Sequence, residues 1–145
     1  PRSADALYCD RETLYLVEFK NGSLKETLGK RLNPKDDEEL GINLGQRDAL
    51  IEKCKDSVLI CSDLWGKRTR WFREHCVFVL VYNEDKNKTA LKRVASSIRR
   101  KARFGLPDKL KGFCVKDVLT LTEKEFSTSL LSTWRDAEEI AEVDA

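Results

Sequence analysis

Three residues of the N-terminal stretch ADALYCDRETLYLVEFKNG, Ala4 to Gly22, carry side chains that could act on one substrate: Asp5, Glu18 and Lys20. Two apolar runs flank the polar Asp10, Arg11 and Glu12, so the stretch reads as a β-hairpin. With the turn centred on Arg11 and Glu12, Cys9 faces Leu14, Leu7 faces Leu16 and Asp5 faces Glu18. Side chains alternate along a strand, so Leu14, Leu16, Glu18 and Lys20 share one face. Asp5 then stands opposite Glu18 with Cβ atoms roughly 5 Å apart. Two carboxylates so placed repel each other, and a hard divalent cation between them turns the repulsion into a binding site. Lys20, one step along the same face, puts an ammonium beside that cation. Replacing Asp5 or Glu18 by its amide is expected to relieve the repulsion. A three-residue turn would shift the register and separate the pair. The same charges also suit an ordinary solvated strand edge, and the residues alone leave both readings open.

The elements that must hold these residues follow from periodicity. Strand-like runs cover Ala4–Cys9, Leu14–Lys20, Cys76–Tyr82 and Phe113–Leu121. A helix from about Gln46 to Leu64 carries the apolar stripe Leu50, Cys54, Val58, Cys61 and Leu64, with Gly66 as its stop. A second helix is expected over Thr89–Arg103, with Leu91, Val94, Ala95, Ile98 and Ala102 inward. A third starts near Thr122, where TEKEF sets a Thr cap before acidic residues. NPKDDEEL suits a helical turn with Asn33 as cap and Pro34 first, or else a long loop. CVFVLVY is apolar without alternation, as in a strand covered on both faces. The order hairpin, helix, buried strand, helix, strand, helix predicts an α/β fold with a mixed central sheet flanked by helices. The Gln46 helix then acts as a crossover that sets Cys76–Tyr82 parallel to Leu14–Lys20.

Composition bounds the rest. A chain of 145 residues, 41% hydrophobic and 36% charged, suits one soluble α/β domain over 1–145 with an acidic tail from about 135 to 145. No apolar run approaches the ~20 residues of a membrane helix, so no membrane partner is expected. The chain begins at Pro1 and enters strand-like sequence at once, so an upstream helix or strand is expected to be missing. Cys9, Cys54, Cys61, Cys76 and Cys114 form no CxxC pair and have apolar flanks. They suit buried free thiols in a reducing, cytoplasmic setting. His75 is the only histidine, which argues against zinc chemistry and against a Ser-His or Cys-His nucleophile. It abuts CVFVLVY and suits a strand edge.

This arrangement resembles the PD-(D/E)xK nuclease superfamily, whose restriction-endonuclease-like core carries an Asp on one hairpin strand, Glu-x-Lys on the next, then a helix and a further buried strand. Asp5 matches the aspartate and Glu18-Phe19-Lys20 the Glu-x-Lys, over roughly Ala4 to Tyr82. The resemblance implies that Asp5 and Glu18 bind Mg²⁺ (or Mn²⁺) with help from the Phe19 backbone carbonyl. It implies that Lys20 orients or helps deprotonate the attacking water. Gln46 is similar to a glutamine found on that helix in some branches, and it also suits a helix-start cap. Ala4 stands where the family often has Pro, and the family's upstream helix and first strand have no counterpart here.

Charge adds a second line. Residues 66–111 carry net +10, against −3 before and −5 after. GKRTRWFR sets Trp71 and Phe72 among Lys67, Arg68, Arg70 and Arg73, a mixture that can track phosphates and stack bases. The aromatic residues there show no clear core period. Arg99 and Arg100 in IRRKAR continue the positive surface, or form the solvated side of an ordinary helix. Two functions follow. One is metal-dependent phosphodiester hydrolysis of DNA or RNA. The other is a catalytically inactive nuclease-fold module that binds nucleic acid or a protein partner through its basic surface. A homodimer is left open.

Overall fold

The structure, a computed structural model, describes residues 3–24, 42–87 and 104–144. Its centre is a four-stranded sheet in the order β1-β2-β3-β4: β1 Ala6–Asp10, β2 Thr13–Lys20, β3 Cys76–Tyr82 and β4 Asp117–Thr122. β1 and β2 pair antiparallel with Leu7 opposite Leu16 and Cys9 opposite Leu14. This is the register expected of a two-residue turn, and Arg11 supplies it with a left-handed φ of 56°. β3 runs parallel to both β2 and β4, so the sheet is mixed and the protein is α/β.

All seven side chains of β3 are buried, as its unbroken apolar sequence requires. Its even-numbered residues join Leu14 and Leu16 in a core against helix α1, Leu44–Trp65, through Leu50, Cys54, Val58 and Cys61. Its odd-numbered residues join Val17 in a second core against Phe126 and Trp134. The Asn43 side chain accepts from the Gln46 N–H at 3.1 Å and starts α1 two residues before Gln46. Gly66 ends it with φ 63°, a conformation that costs glycine no Cβ clash.

Two expectations are corrected. Leu64, read as the last stripe residue, is 72% exposed, because the stripe outruns the sheet beneath it after Cys61. Phe113–Lys116 forms a turn rather than the start of β4. Gly112, at φ 76°, donates to the Val115 carbonyl at 2.8 Å, so Cys114 and Val115 reach the core without a ladder. The acidic tail is helical as far as Asp144. Helices α4 (Glu123–Phe126) and α5 (Ser132–Asp144) are joined by a π-helical turn, Ser127–Leu131. α4 begins with a reciprocal cap between Thr122 and Glu125. Two short helices complete the chain order: α2, Thr69–His75, before β3, and α3, Leu106–Leu110, before β4. The expected helix over Thr89–Arg103 and the expected turn at Asn33 and Pro34 lie outside the described residues.

Phe72 on α2 is fully buried, so the aromatic pair of GKRTRWFR does serve the core in part. Phe72→Ala should cost about 3–5 kcal/mol of unfolding free energy. Urea denaturation followed by far-UV circular dichroism measures it.

Candidate active site

Glu18 lies on the α1 face of β2 near that strand's carboxyl end and is 1% exposed. A charged carboxylate there needs compensation. It comes from Lys53, one helical turn before Ser57 on α1, whose ammonium lies 2.5 Å from Glu18 Oε1. Lys20 reaches the same oxygen at 3.7 Å. Glu18 Oε2 is buried and has no partner among the described residues.

Asp5 approaches β2 differently. Its Oδ2 accepts from the Phe19 backbone N–H at 2.9 Å. Continued register would give that position to Ala4, but the Ala4 N–H donates to Ser57 Oγ at 2.7 Å. The Asp5 carboxylate therefore replaces a ladder bond where the hairpin opens. Within a strand, N–H and C=O of one residue point to the same side, so the Phe19 carbonyl faces the edge where Asp5 sits.

The structure thus brings Asp5, Glu18, Phe19 and Lys20 to one end of the hairpin, at the carboxyl ends of the parallel strands. Such ends are where open α/β sheets take ligands. Gln46 lies at the same end. Its side-chain amide donates to the Ser23 carbonyl at 3.2 Å, and its backbone N–H is the one capped by Asn43. Arg47 pairs with its neighbour Asp48 at 3.8 Å.

The basic strip stands apart. Arg68, Arg70 and Arg73 are exposed on and beside α2, which leads into the amino end of β3. Cys76 pairs with Leu14 and Leu80 with Glu18, so the strip lies about 13 Å or more from the carboxylates along the sheet. Trp71 is half-buried, edge-on to Phe72 and stacked on His75 at 4.7 Å, with the Lys67 ammonium over its ring. His75 Nδ1 meets the Trp71 carbonyl at 2.9 Å, a structural role at the α2–β3 junction. Arg99 and Arg100 lie outside the described residues.

Three of the buried thiols are poor nucleophiles. Burial pushes the Cys61 and Cys76 thiols up, and a contact with Cys114 together with burial holds Cys54 well above the ordinary range. Cys9 alone is exposed.

Lys53 is the functional residue that sequence reasoning missed. It flanks the apolar stripe of α1 beside Cys54, and the signal for it was Glu18 itself: a carboxylate on the buried face of a strand calls for a cation on the helix that covers it. Among the described residues no three His, Cys, Asp or Glu side chains group as a metal site, and no helix is long and apolar enough to cross a membrane. Comparison with family models, curated proteins and solved structures finds no match. The fold and site define an α/β protein with a buried carboxylate between two lysines at the carboxyl end of its parallel strands.

The two lysines reverse the sign expected for Glu18→Gln, which now removes attraction rather than repulsion. Lys53→Met should cost about 1–3 kcal/mol, because it strips the nearer cation from a buried charge. Glu18→Leu combined with Lys53→Met should cost less than the two single changes added together. Urea denaturation of the three variants measures both effects.

Proposed function

We propose that the chain hydrolyses phosphodiester bonds of nucleic acid at the Asp5–Glu18–Lys20 edge with Mg²⁺ or Mn²⁺, on a restriction-endonuclease-like core. The observation that carries this reading is the orphaned Glu18 Oε2, a buried carboxylate oxygen with no partner among the described residues, at the end of the hairpin shared with Asp5. The donor set fits a hard cation. Mg²⁺ is held by one or two carboxylates and keeps several waters, so Glu18, Asp5 and the Phe19 carbonyl suffice without a third acid. When bound, the cation would supply an activated water and offset charge on the phosphoryl oxygens.

The chain's own groups do the rest. Packing on the α1 face holds the buried Glu18, and the Phe19 N–H holds Asp5, so neither carboxylate has to be ordered on binding. Lys20 is partly exposed and stands where an ammonium can donate to a phosphate oxygen or to the attacking water. Element order supports the reading as well: a hairpin, a crossover helix and a buried parallel strand follow one another as the family resemblance implies. Four buried free thiols favour a reducing, cytoplasmic setting.

One observation favours the second function. Lys53 and Lys20 already neutralise Glu18 without any metal, which is what a nuclease-fold module that binds without cutting would need.

Cleavage of single- or double-stranded DNA or RNA should require Mg²⁺ or Mn²⁺ and stop in EDTA. Lys20→Ala should lower turnover about 100-fold or more with an unchanged circular dichroism spectrum. Full activity in EDTA, or in Lys20→Ala, would sink the hydrolytic assignment. Nucleic-acid binding without cleavage would leave the module.

Arg68, Arg70 and Arg73 bear on affinity alone. Changing all three to Ala should weaken binding and flatten the log K against log salt slope by about 2–3, the counterions of three phosphate contacts. Fluorescence anisotropy across a salt series gives that slope.

A further inference from the structure

The far face of the hairpin holds a cleft of about 470 Å³, within the range of small-ligand sites. Its walls are largely apolar and aromatic, with Ala6, Phe19, Val81, Phe126 and Trp134 among them and Glu123 as a charged residue. The Phe19 ring is 46% exposed and meets Phe126 edge-on at 5.7 Å, which leaves an aromatic face open to the cleft. Trp134 is 5% exposed, and its indole N–H has no partner among the described residues. Aromatic walls with a carboxylate acceptor beside them suit a flat heteroaromatic ring with an amino edge better than an aliphatic group.

Position narrows the occupant. Phe19 lies between Glu18 and Lys20, and alternation sends its side chain to the face opposite theirs. Ala6 follows Asp5. The cleft and the carboxylate edge therefore share one hairpin end. Building on the nuclease reading above, we propose that this cleft receives one base of the bound nucleic-acid strand, unstacked from its neighbours and laid against Phe19, while that nucleotide's phosphate lies at the Asp5–Glu18–Lys20 edge. Unstacking costs least where a base is single-stranded or mismatched, so the cleft selects such strands over intact duplex. Glu123 accepts from the exocyclic amine of adenine, cytosine or guanine, which thymine and uracil lack.

The test uses a single-stranded oligonucleotide carrying the fluorescent base 2-aminopurine at successive positions, bound in Mg²⁺ by the Lys20→Ala variant. Binding should quench 2-aminopurine at one position. Phe19→Leu in the same background should abolish the quench and weaken binding about tenfold, the worth of one base on an aromatic ring. A thermal melt of Phe19→Leu matching that of its parent shows that the fold is kept. Binding without a quench at any position, equal affinity for a strand abasic at the quenched position, or no oligonucleotide binding would each overturn the proposal. The two readings fail separately. Metal-dependent cleavage indifferent to Phe19→Leu and to abasic strands leaves the hydrolytic site and removes the base cleft. Quenching lost in Phe19→Leu, with no cleavage by the unaltered chain, supports the cleft and removes the hydrolysis.

Discussion

A two-residue turn at Arg11 and Glu12 sets the pairing of β1 with β2, and the alternation along β2 decides which side chain meets which layer. Arg11 takes a left-handed φ to make that turn, at a cost of about 1–2 kcal/mol. Five ladder pairs follow it. A strand displaced by one residue exchanges its two faces. Glu18 would then face Phe126 and Trp134, with no lysine near, and Val17 and Phe19 would take the places next to Lys53. Both the apolar core and the buried charge depend on this one choice of register, and each penalises the alternative.

The buried charge is in turn the reason for the cluster around it. A carboxylate shielded from water is tolerable only with a cation close by, and Glu18 has two, on the same oxygen. Glu18 with its two lysines carries one net positive charge, and Asp5 at the same hairpin end brings the group to neutral. On the proposed reading the lysines would serve an incoming phosphate and the carboxylates an incoming metal ion. Two unit charges 4 Å apart interact by about 4 kcal/mol at an effective dielectric of 20, so a divalent cation at Oε2 is repelled by Lys53 unless that long side chain withdraws. Lys53 is flexible and partly accessible, so withdrawal is within its reach. If a metal ion binds there as proposed, it and the Lys53 ammonium would be alternative counter-charges for one carboxylate, and the stability of the hairpin would depend on the occupancy of its open end.

Much of this was legible before any coordinates, and the exceptions have physical causes. CVFVLVY declared a strand buried on both faces because nothing polar interrupts it. The Thr122 cap was visible because its partner, Glu125, is three residues away. Such signals are local. Phe72 was misjudged because α2 is too short to show a period. Phe113–Val115 is an apolar run like the start of a strand, yet Gly112 bends it into a turn. Lys53 was missed because a lysine beside an apolar stripe is ordinary in isolation and acquires meaning only from a residue 35 positions away. The register of β1 with β2 as far as Ala6 opposite Val17 was legible, whereas the bond of Asp5 to the Phe19 N–H was not. That bond depends on where Ala4 leaves the ladder for Ser57, which is decided by α1.

The same topology that gathers the carboxylates sends the strongest basic cluster away from them. Parallel pairing of β2 and β3 puts α2 at the amino end of the sheet and Glu18 with Lys20 at the carboxyl end. Arginines there cannot share a phosphate with Lys20, because the length of the strands lies between. They can contribute only through the long-range field and through contacts several nucleotides along a bound strand, and both fade as salt rises. Lys20 and Lys53, beside a buried carboxylate, are screened far less. On the proposed reading, affinity and chemistry would therefore lie on separate parts of the sheet with different sensitivities to salt. A strand of nucleic acid that engages both must extend along the sheet rather than cross it at one point.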